Sequence, residues 1–248
     1  DVLTTVSVKE RALAARWKQK ISLLSDILAQ ALSYPPRACQ TDTQKIIAML
    51  VRTGASLKRV DEVIKTKPSK QVVTGNMLMV KKGFRPLVYG DVSLIEKPNS
   101  EQLSEIAISN AEFMQKVVGY EPKIAMLSYS TKGSAKGEMI DLVTNATELV
   151  KQKCNYIVDG EMQADTAFDE ITAKRKGISG ELAGKANVLI FPDLNAGNIG
   201  YKLTQRLGGF SAIGPIMLNF NKPVNDLSRG CSVDEIVNTI CITKLQVE

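Results

Sequence analysis

The run at residues 223–235, Pro-Val-Asn-Asp-Leu-Ser-Arg-Gly-Cys-Ser-Val-Asp-Glu, gathers a hydroxyl, a guanidinium and several carboxylates into a short stretch. Ser228 and Arg229 stand just ahead of an amphipathic pattern formed by Ile236, Val237 and Ile240. Free amides and the macrodipole at a helix N-terminus favour an anion, and a guanidinium can grip a phosphate through two parallel hydrogen bonds. Ser228 can donate to a developing oxyanion. Asp234 and Glu235, a turn later, are placed to accept a proton. The same Ser232-Val233-Asp234-Glu235 is also a capping box, and acids suit a first helical turn on that ground alone. For Glu235 both readings stay open.

Three other runs carry polar chemistry. Ser128-Tyr-Ser-Thr-Lys-Gly-Ser-Ala-Lys-Gly137 combines hydroxyls, two lysines and two glycines. Small residues let backbone amides approach an anion and lysines neutralise it. The spacing is not that of a Walker loop, and a turn-rich connection explains the composition equally well. Asp159-Gly-Glu-Met-Gln-Ala-Asp165 carries three acids, which suits metal or acid–base work, but anchoring of a loop and a helix start by Asp159 and Asp165 is the simpler reading. Asn195 and Asn198, beside Gly197 and Gly200, suit left-handed backbone geometry and offer amides to a polar substrate.

Other chemistries are disfavoured. The chain has no histidine, so Ser-His and Cys-His nucleophile pairs are excluded and acid–base work falls to Asp, Glu, Lys or Tyr. Its four cysteines are far apart and form no Cys-x-x-Cys pair, which supports neither a disulfide framework nor zinc; no metal is expected.

The elements that must position these groups follow from hydrophobic spacing. Helices are predicted over 1–33, from Thr41 to Gly54 with Gln44 completing a capping box, and from Leu57 to about Lys67. Strands are predicted at 71–74, 77–80 and 87–90. Asn99 is placed to cap a long helix with Leu103, Ile106, Ala107, Met114 and Val117 on one face, stopped by Gly119. A regular alternation then begins: strand 124–127, the 128–137 loop, helix 138–151, strand 156–158, strand 187–191, a glycine loop at 193–200 leading into a helix through Leu207, and strand 212–218. This order predicts a mostly parallel sheet covered by helices, with the loops at 128–137, 193–200 and 223–232 at strand ends, where ligands gather.

At 248 residues, two α/β domains or one large one are expected, and 44% apolar residues suffice to build their cores. Only 5% of residues are aromatic, which argues against a base-stacking surface, so no nucleic-acid partner is expected. The net charge of +6 is dispersed among acids and reads mainly as solvated surface, with a modest field that suits a small polyanion. No apolar run reaches membrane-spanning length and the opening residues lack a signal-peptide pattern, so a cytoplasmic protein without a membrane partner is expected.

Four runs in the same order carry a specific resemblance: Met126-Leu-Ser-Tyr-Ser-Thr-Lys-Gly-Ser-Ala135, Asp159-Gly-Glu-Met-Gln163, Asn187-Val-Leu-Ile-Phe-Pro-Asp-Leu-Asn-Ala-Gly-Asn-Ile-Gly-Tyr-Lys202 and Pro223-Val-Asn-Asp-Leu-Ser-Arg-Gly-Cys231. From about Thr53 onward the chain resembles the phosphate acetyltransferases, or phosphotransacetylases. The resemblance implies reversible acetyl transfer between acetyl-CoA and inorganic phosphate, giving acetyl phosphate and coenzyme A. It also implies a homodimer and a two-domain, three-layer αβα fold of the isocitrate/isopropylmalate dehydrogenase-like kind, with the active cleft between domains. On this sequence one domain would comprise 1–98 with 211–248, and the other 99–210.

Carried onto these residues, the family's Ser-Arg pair is Ser228 and Arg229, and its catalytic carboxylate falls on Glu235, with Asp234 the neighbour able to replace it. Ser128, Ser130, Thr131, Lys132, Gly133, Ser134, Asn195, Asn198 and Lys58 are the residues expected to bind substrate. The chain departs from the family in having Lys58 where Arg is usual, Leu218-Asn219 where Gln-Gly is usual, and a shorter N-terminal part. A phosphate butyryltransferase and a non-catalytic acetyl-CoA-sensing domain are the alternatives.

Overall fold

The computed structural model describes residues 64–227 and 233–247, all within the unit Lys58–Glu248. The helices expected over 1–33 and 41–54, most of the next one, and the candidate residues Lys58, Ser228 and Arg229 lie outside the described residues.

The elements run β1 (Thr74–Val80), β2 (Leu87–Gly90), α1 (Ser100–Phe113), a π-helical turn (Met114–Val118), β3 (Lys123–Leu127), α2 (Glu138–Lys153), β4 (Ile157–Met162), α3 (Ala164–Phe168), α4 (Glu170–Arg175), β5 (Val188–Ile190), α5 (Leu194–Gly208), β6 (Ser211–Leu218) and α6 (Val233–Leu245). The punctuation of α1 is the expected one. Asn99 accepts from the Gln102 amide at 2.8 Å while the Gln102 side chain accepts from the Asn99 amide at 3.0 Å. Gly119, at φ 85°, closes the π-helical turn in the left-handed geometry that glycine adopts without a Cβ penalty.

The six described strands share one sheet, in the order β4-β3-β5-β2-β1-β6. β2, β5, β3 and β4 are mutually parallel, whereas β1 runs antiparallel to both β2 and β6. The carboxyl ends of β2, β3, β4, β5 and β6 therefore meet on one edge, together with the amino end of β1. Alternation along β2 separates the faces. Tyr89 packs its ring 5.2 Å from that of Phe191 and bonds through its hydroxyl to Thr204 of α5 at 3.1 Å. The neighbouring Gly90 lies beneath the side chain of Asn110 in α1. Helices thus cover both faces and the arrangement is a three-layer αβα one. Met77, Met79, Leu127, Met162 and Leu189 are buried in the core on the Tyr89 side, each burial contributing about 1.5–3 kcal/mol.

Three sequence expectations change. The strand expected at 71–74 does not form, and β1 starts only at Thr74 and takes in the strand expected at 77–80, with a register shift between Asn76 and Leu78. The amides of Gln71 and Val72 are bonded instead to the Glu105 carboxylate, at 2.9–3.2 Å. Two short helices, α3 and α4, occupy a stretch whose pattern is too brief to show a period. The glycine loop expected at 193–200 is the opening of α5 itself: Asp193 caps it, accepting from the Ala196 amide at 2.9 Å.

Gly197 and Gly200 are accordingly helical, and their need for glycine comes from packing. A Cβ on Gly197 would overlap the backbone oxygen of Asp91, and one on Gly200 would press on the Phe191 ring. Helix propensity alone would make Gly197→Ala stabilising by about 1 kcal/mol. The overlap is with backbone, which yields poorly, and overpacking costs about 1–3 kcal/mol. We expect Gly197→Ala to lower the thermal midpoint; an unchanged or raised midpoint would show that α5 stands further from β2 than described.

Candidate functional site

The chain leaves β3 through α2 toward β4 on one side, whereas it leaves β5 through α5 toward β6 on the other. The carboxyl ends of β3 and β5 are neighbours, so the crevice between them is the topological switch point of the sheet, where ligands of open α/β sheets bind. The 128–137 loop and the start of α5 border it.

The loop is built around a carboxylate from the end of β4. Glu161 is only 4% exposed. Its Oε1 accepts from the Ser130 hydroxyl and the Gly133 amide, both at 2.8 Å, and its Oε2 accepts from the Thr144 hydroxyl of α2 at 3.3 Å. Two residues on, Gln163 donates its amide to Thr131 Oγ1 at 3.0 Å; its Oε1 accepts from that hydroxyl at 3.3 Å and from Lys176 Nζ at 2.8 Å. Two residues before, Asp159 pairs with Lys132. Lys132 takes φ 50° and Gly133 φ 77°, a left-handed pair that turns successive amides inward.

Those inward amides are already used. Ser128 donates to Met162 O at 2.8 Å, Ser130 to Ser128 Oγ at 3.3 Å, and Thr131 to Ser134 Oγ at 3.0 Å. Lys132 donates to Glu161 O at 3.2 Å, Ser134 to Thr131 O at 3.1 Å, and Ala135 to Ser130 Oγ at 3.1 Å. Of the amides at 128 and 130–135 only that of Gly133 meets an anion, the protein's own Glu161 carboxylate, and the others are taken by backbone and hydroxyl oxygens. The groups turned outward are Lys132, Lys136 and Tyr129, whose ring is 61% exposed.

Burial alone would raise the Glu161 pKa, but the donations of Gly133, Ser130 and Thr144 together hold it below the ordinary carboxylate value. Asp91, just beyond β2, has the opposite balance. It accepts from Thr74 Oγ1 at 2.9 Å and from the amides of Gly75, Ser93 and Leu94 at 2.7–3.2 Å, yet burial dominates and lifts its pKa. At Asp165 the hydrogen bond from Lys176 is the main cause of a lowered value. Asp159 and Asp165 act as anchors for a loop and a helix start, the simpler of the two readings of that run.

The remaining expected residues are spread along the structure. Asn198 donates to Val92 O at 3.0 Å, joining α5 to the turn after β2, and Asn195 is exposed on the first turn of α5. Asp234, exposed, and Glu235, half-buried, stand in the first turn of α6. The last turn of that helix is fastened to β6: Asn225 Nδ2 donates to Thr243 Oγ1 and Gln246 Oε1, both at 2.7 Å, while Asn225 Oδ1 accepts from the Met217 amide at 2.8 Å. The structure therefore brings the 128–134 residues together and keeps Asp234 and Glu235 on a separate element. Among the described residues no three metal-ligating side chains cluster.

Sequence reasoning missed Glu161 and Asp91. The available signal for Glu161 was its place between Asp159 and Gln163, every second residue at the end of a strand facing a polar loop. A carboxylate held below its ordinary value contributes stability that is complete above the unfolded value and is lost as pH falls through the folded one. Glu161→Gln should therefore show a shallower loss of stability in acid than the parent chain below about pH 4.5, the ordinary value. Urea unfolding midpoints of the two proteins from neutral pH to about pH 3 test this; parallel curves would remove Glu161 from the acid response.

The family model described as "Phosphate acetyl/butaryl transferase" matches residues 40–244. The phosphate acetyltransferase of Clostridium acetobutylicum is 47% identical over 204 residues, covering 79% of this chain and 61% of that protein. That of Acetivibrio thermocellus is 46% identical over 202 residues, with the same coverage. The solved structure of EutD phosphotransacetylase from Staphylococcus aureus superposes with a TM-score of 0.74 at 42% identity, over 79% of this chain and 61% of that one. The chain spans about three fifths of the length of these relatives. With the model match running through every described strand and helix up to Lys244, the chain belongs to the phosphate acetyl/butaryl transferase family.

Proposed function

We propose that this protein transfers an acetyl group reversibly between acetyl-CoA and inorganic phosphate, giving acetyl phosphate and coenzyme A, as a cytoplasmic homodimer. The observation that carries the reading is the intact run at 223–231 in a chain matched by the family model from 40 to 244. The contacts of Asn225, inside that run, are consistent with it. Asn225 pins the segment to β6 three residues ahead of Ser228, and α6 begins at Val233.

In the proposed ternary complex, an oxygen of phosphate attacks the thioester carbonyl. Arg229 orients the phosphate by two parallel hydrogen bonds, and Ser228 donates to the tetrahedral oxyanion. Collapse breaks the carbon–sulfur bond, and the thiolate takes up a proton. In the reverse direction Glu235, or Asp234, removes that proton so that the thiolate attacks acetyl phosphate. Lys58, Asn195, Asn198 and the 128–134 residues complete the substrate contacts in this reading.

Thioester formation from acetyl phosphate and coenzyme A by the full chain is the direct test. Arg229→Ala should lower kcat/KM by about a hundredfold or more, the scale of losing one preorganised charge donor. No turnover by the folded chain would refute the proposal, and faster butyryl than acetyl transfer would reassign the substrate. Glu235→Gln keeps the capping-box acceptor and removes the proton acceptor, whereas Glu235→Ala removes both: loss of kcat in both variants marks a proton acceptor, and loss of thermal stability in the Ala variant with kcat kept in the Gln variant marks a cap; Asp234→Asn tests the neighbour in the same assay.

A further inference from the structure

Among the described residues four buried polar side-chain atoms have no hydrogen-bond partner, and three of them meet between α1 and the sheet. These are Nδ2 and Oδ1 of Asn76 in β1 and Oδ1 of Asn110 in α1, both residues being 0% exposed. The fourth, Ser93 Oγ, lies over Gly75, which alternation along β1 turns to the opposite face from Asn76.

The topology brings the two carboxamides together. The register that pairs Met77 with Tyr89 sets Asn76 across from Gly90, and a Cβ on Gly90 would overlap the Asn110 carboxamide. On its other side Asn76 pairs with Ile216 of β6, while Ser109, the residue before Asn110, accepts from Asn219 Nδ2 just past β6 at 3.0 Å. α1 therefore crosses β1 at this level, with Asn76 beneath it. Side chains directly across a pair of strands stand about 4.5–5.5 Å apart at Cβ, a gap that two short amides and one small bridging molecule close. Asn110 Nδ2 is already committed, donating to Ile106 O at 2.8 Å, so its Oδ1 has to be met from outside α1.

A buried amide left unmet is costly, and such groups in folded proteins are satisfied by protein or by ordered water. The unmet set here is two acceptors and one donor. A metal cation has nothing to accept the Asn76 amide protons, and an anion has nothing to give the two oxygens. A water molecule donates twice and accepts once, the three bonds that buried waters typically make. The donor and acceptor of one carboxamide lie on the same side of its C–N bond, so one water can bond both.

We propose that Asn76 and Asn110 hold a single buried water that clamps α1 to β1. It donates to Asn76 Oδ1 and Asn110 Oδ1 and accepts from Asn76 Nδ2. The site lies behind Gly90, next to Asp91, and so backs the corner where α5 touches the Asp91 backbone. It is independent of the acetyltransferase reading.

The test is a crystal structure of the full chain at a resolution that shows ordered water, together with urea unfolding of Asn76→Leu, Asn110→Leu and the double variant. A density peak is expected about 2.7–3.2 Å from all three atoms. Each single variant leaves the other carboxamide short of a partner, whereas the double removes the whole unmet set. The unfolding constant of the double should therefore lie about fivefold or more below the product expected from the singles. Absence of the peak, a direct bond between the two carboxamides, or a double variant that matches the product of the singles would each overturn the proposal. The crystallographic measurement uses the parent chain and decides the matter where a Leu variant does not fold.

Discussion

A carboxylate taken out of water must be supplied with donors, and at the carboxyl edge of this sheet two such groups dictate the surrounding chain. Glu161 is 4% exposed and Asp91 3%. Around Glu161 the donors come from the loop after β3 and from α2, so satisfying the carboxylate forces residues 130–135 to wrap inward. Around Asp91 they come from β1 and from the turn after β2, so the same demand ties two strands and a turn into one corner. At Glu161 the donors outweigh burial, and its ionised form supports the fold. At Asp91 burial outweighs four donors, so its contribution diminishes as pH rises through its elevated value.

That corner is also where α5 lands. Gly197 lets the helix touch the Asp91 backbone, Asn198 bonds to Val92 O, and Asp193 caps the helix that Gly197 positions. Three neighbouring residues thus convert a loop-like sequence into a tightly seated helix. The consequence is geometric. The start of α5 and the 128–137 loop face each other across the switch point between β3 and β5, each fixed by contacts to a different neighbouring strand.

Much of this architecture was legible from residue spacing because its signals are local. Asn99 with Gln102, Gly119, and the apolar stretches at 124–127 and 212–218 each act within a few residues. What spacing could not convey was contact between distant segments. Gly197 and Asn198 read as turn formers because their partners, Asp91 and Val92, lie a hundred residues earlier. The 128–137 loop fits an anion site and a turn-rich connection equally by composition, because the carboxylate that it wraps, Glu161, belongs to another strand. The same residue types serve an external phosphate or an internal carboxylate, and only the fold decides which.

Asn225 shows the same economy at the other end of the sheet. Its side chain accepts from Met217 of β6 and donates twice, to Thr243 and Gln246 in and after α6, while Gln246 Nε2 returns a bond to Met217 O at 3.1 Å. The stretch between Asn225 and Thr243 is thereby closed into a loop by one amide, and closing a loop of that length costs only a few kcal/mol of chain entropy, roughly what a set of well-made buried hydrogen bonds returns. An aspartate there could accept from Met217 but would face the Gln246 oxygen with no proton to offer. The asparagine in the 223–231 run is therefore explained without chemistry: it holds together the two ends of the segment on which Ser228 and Arg229 are strung.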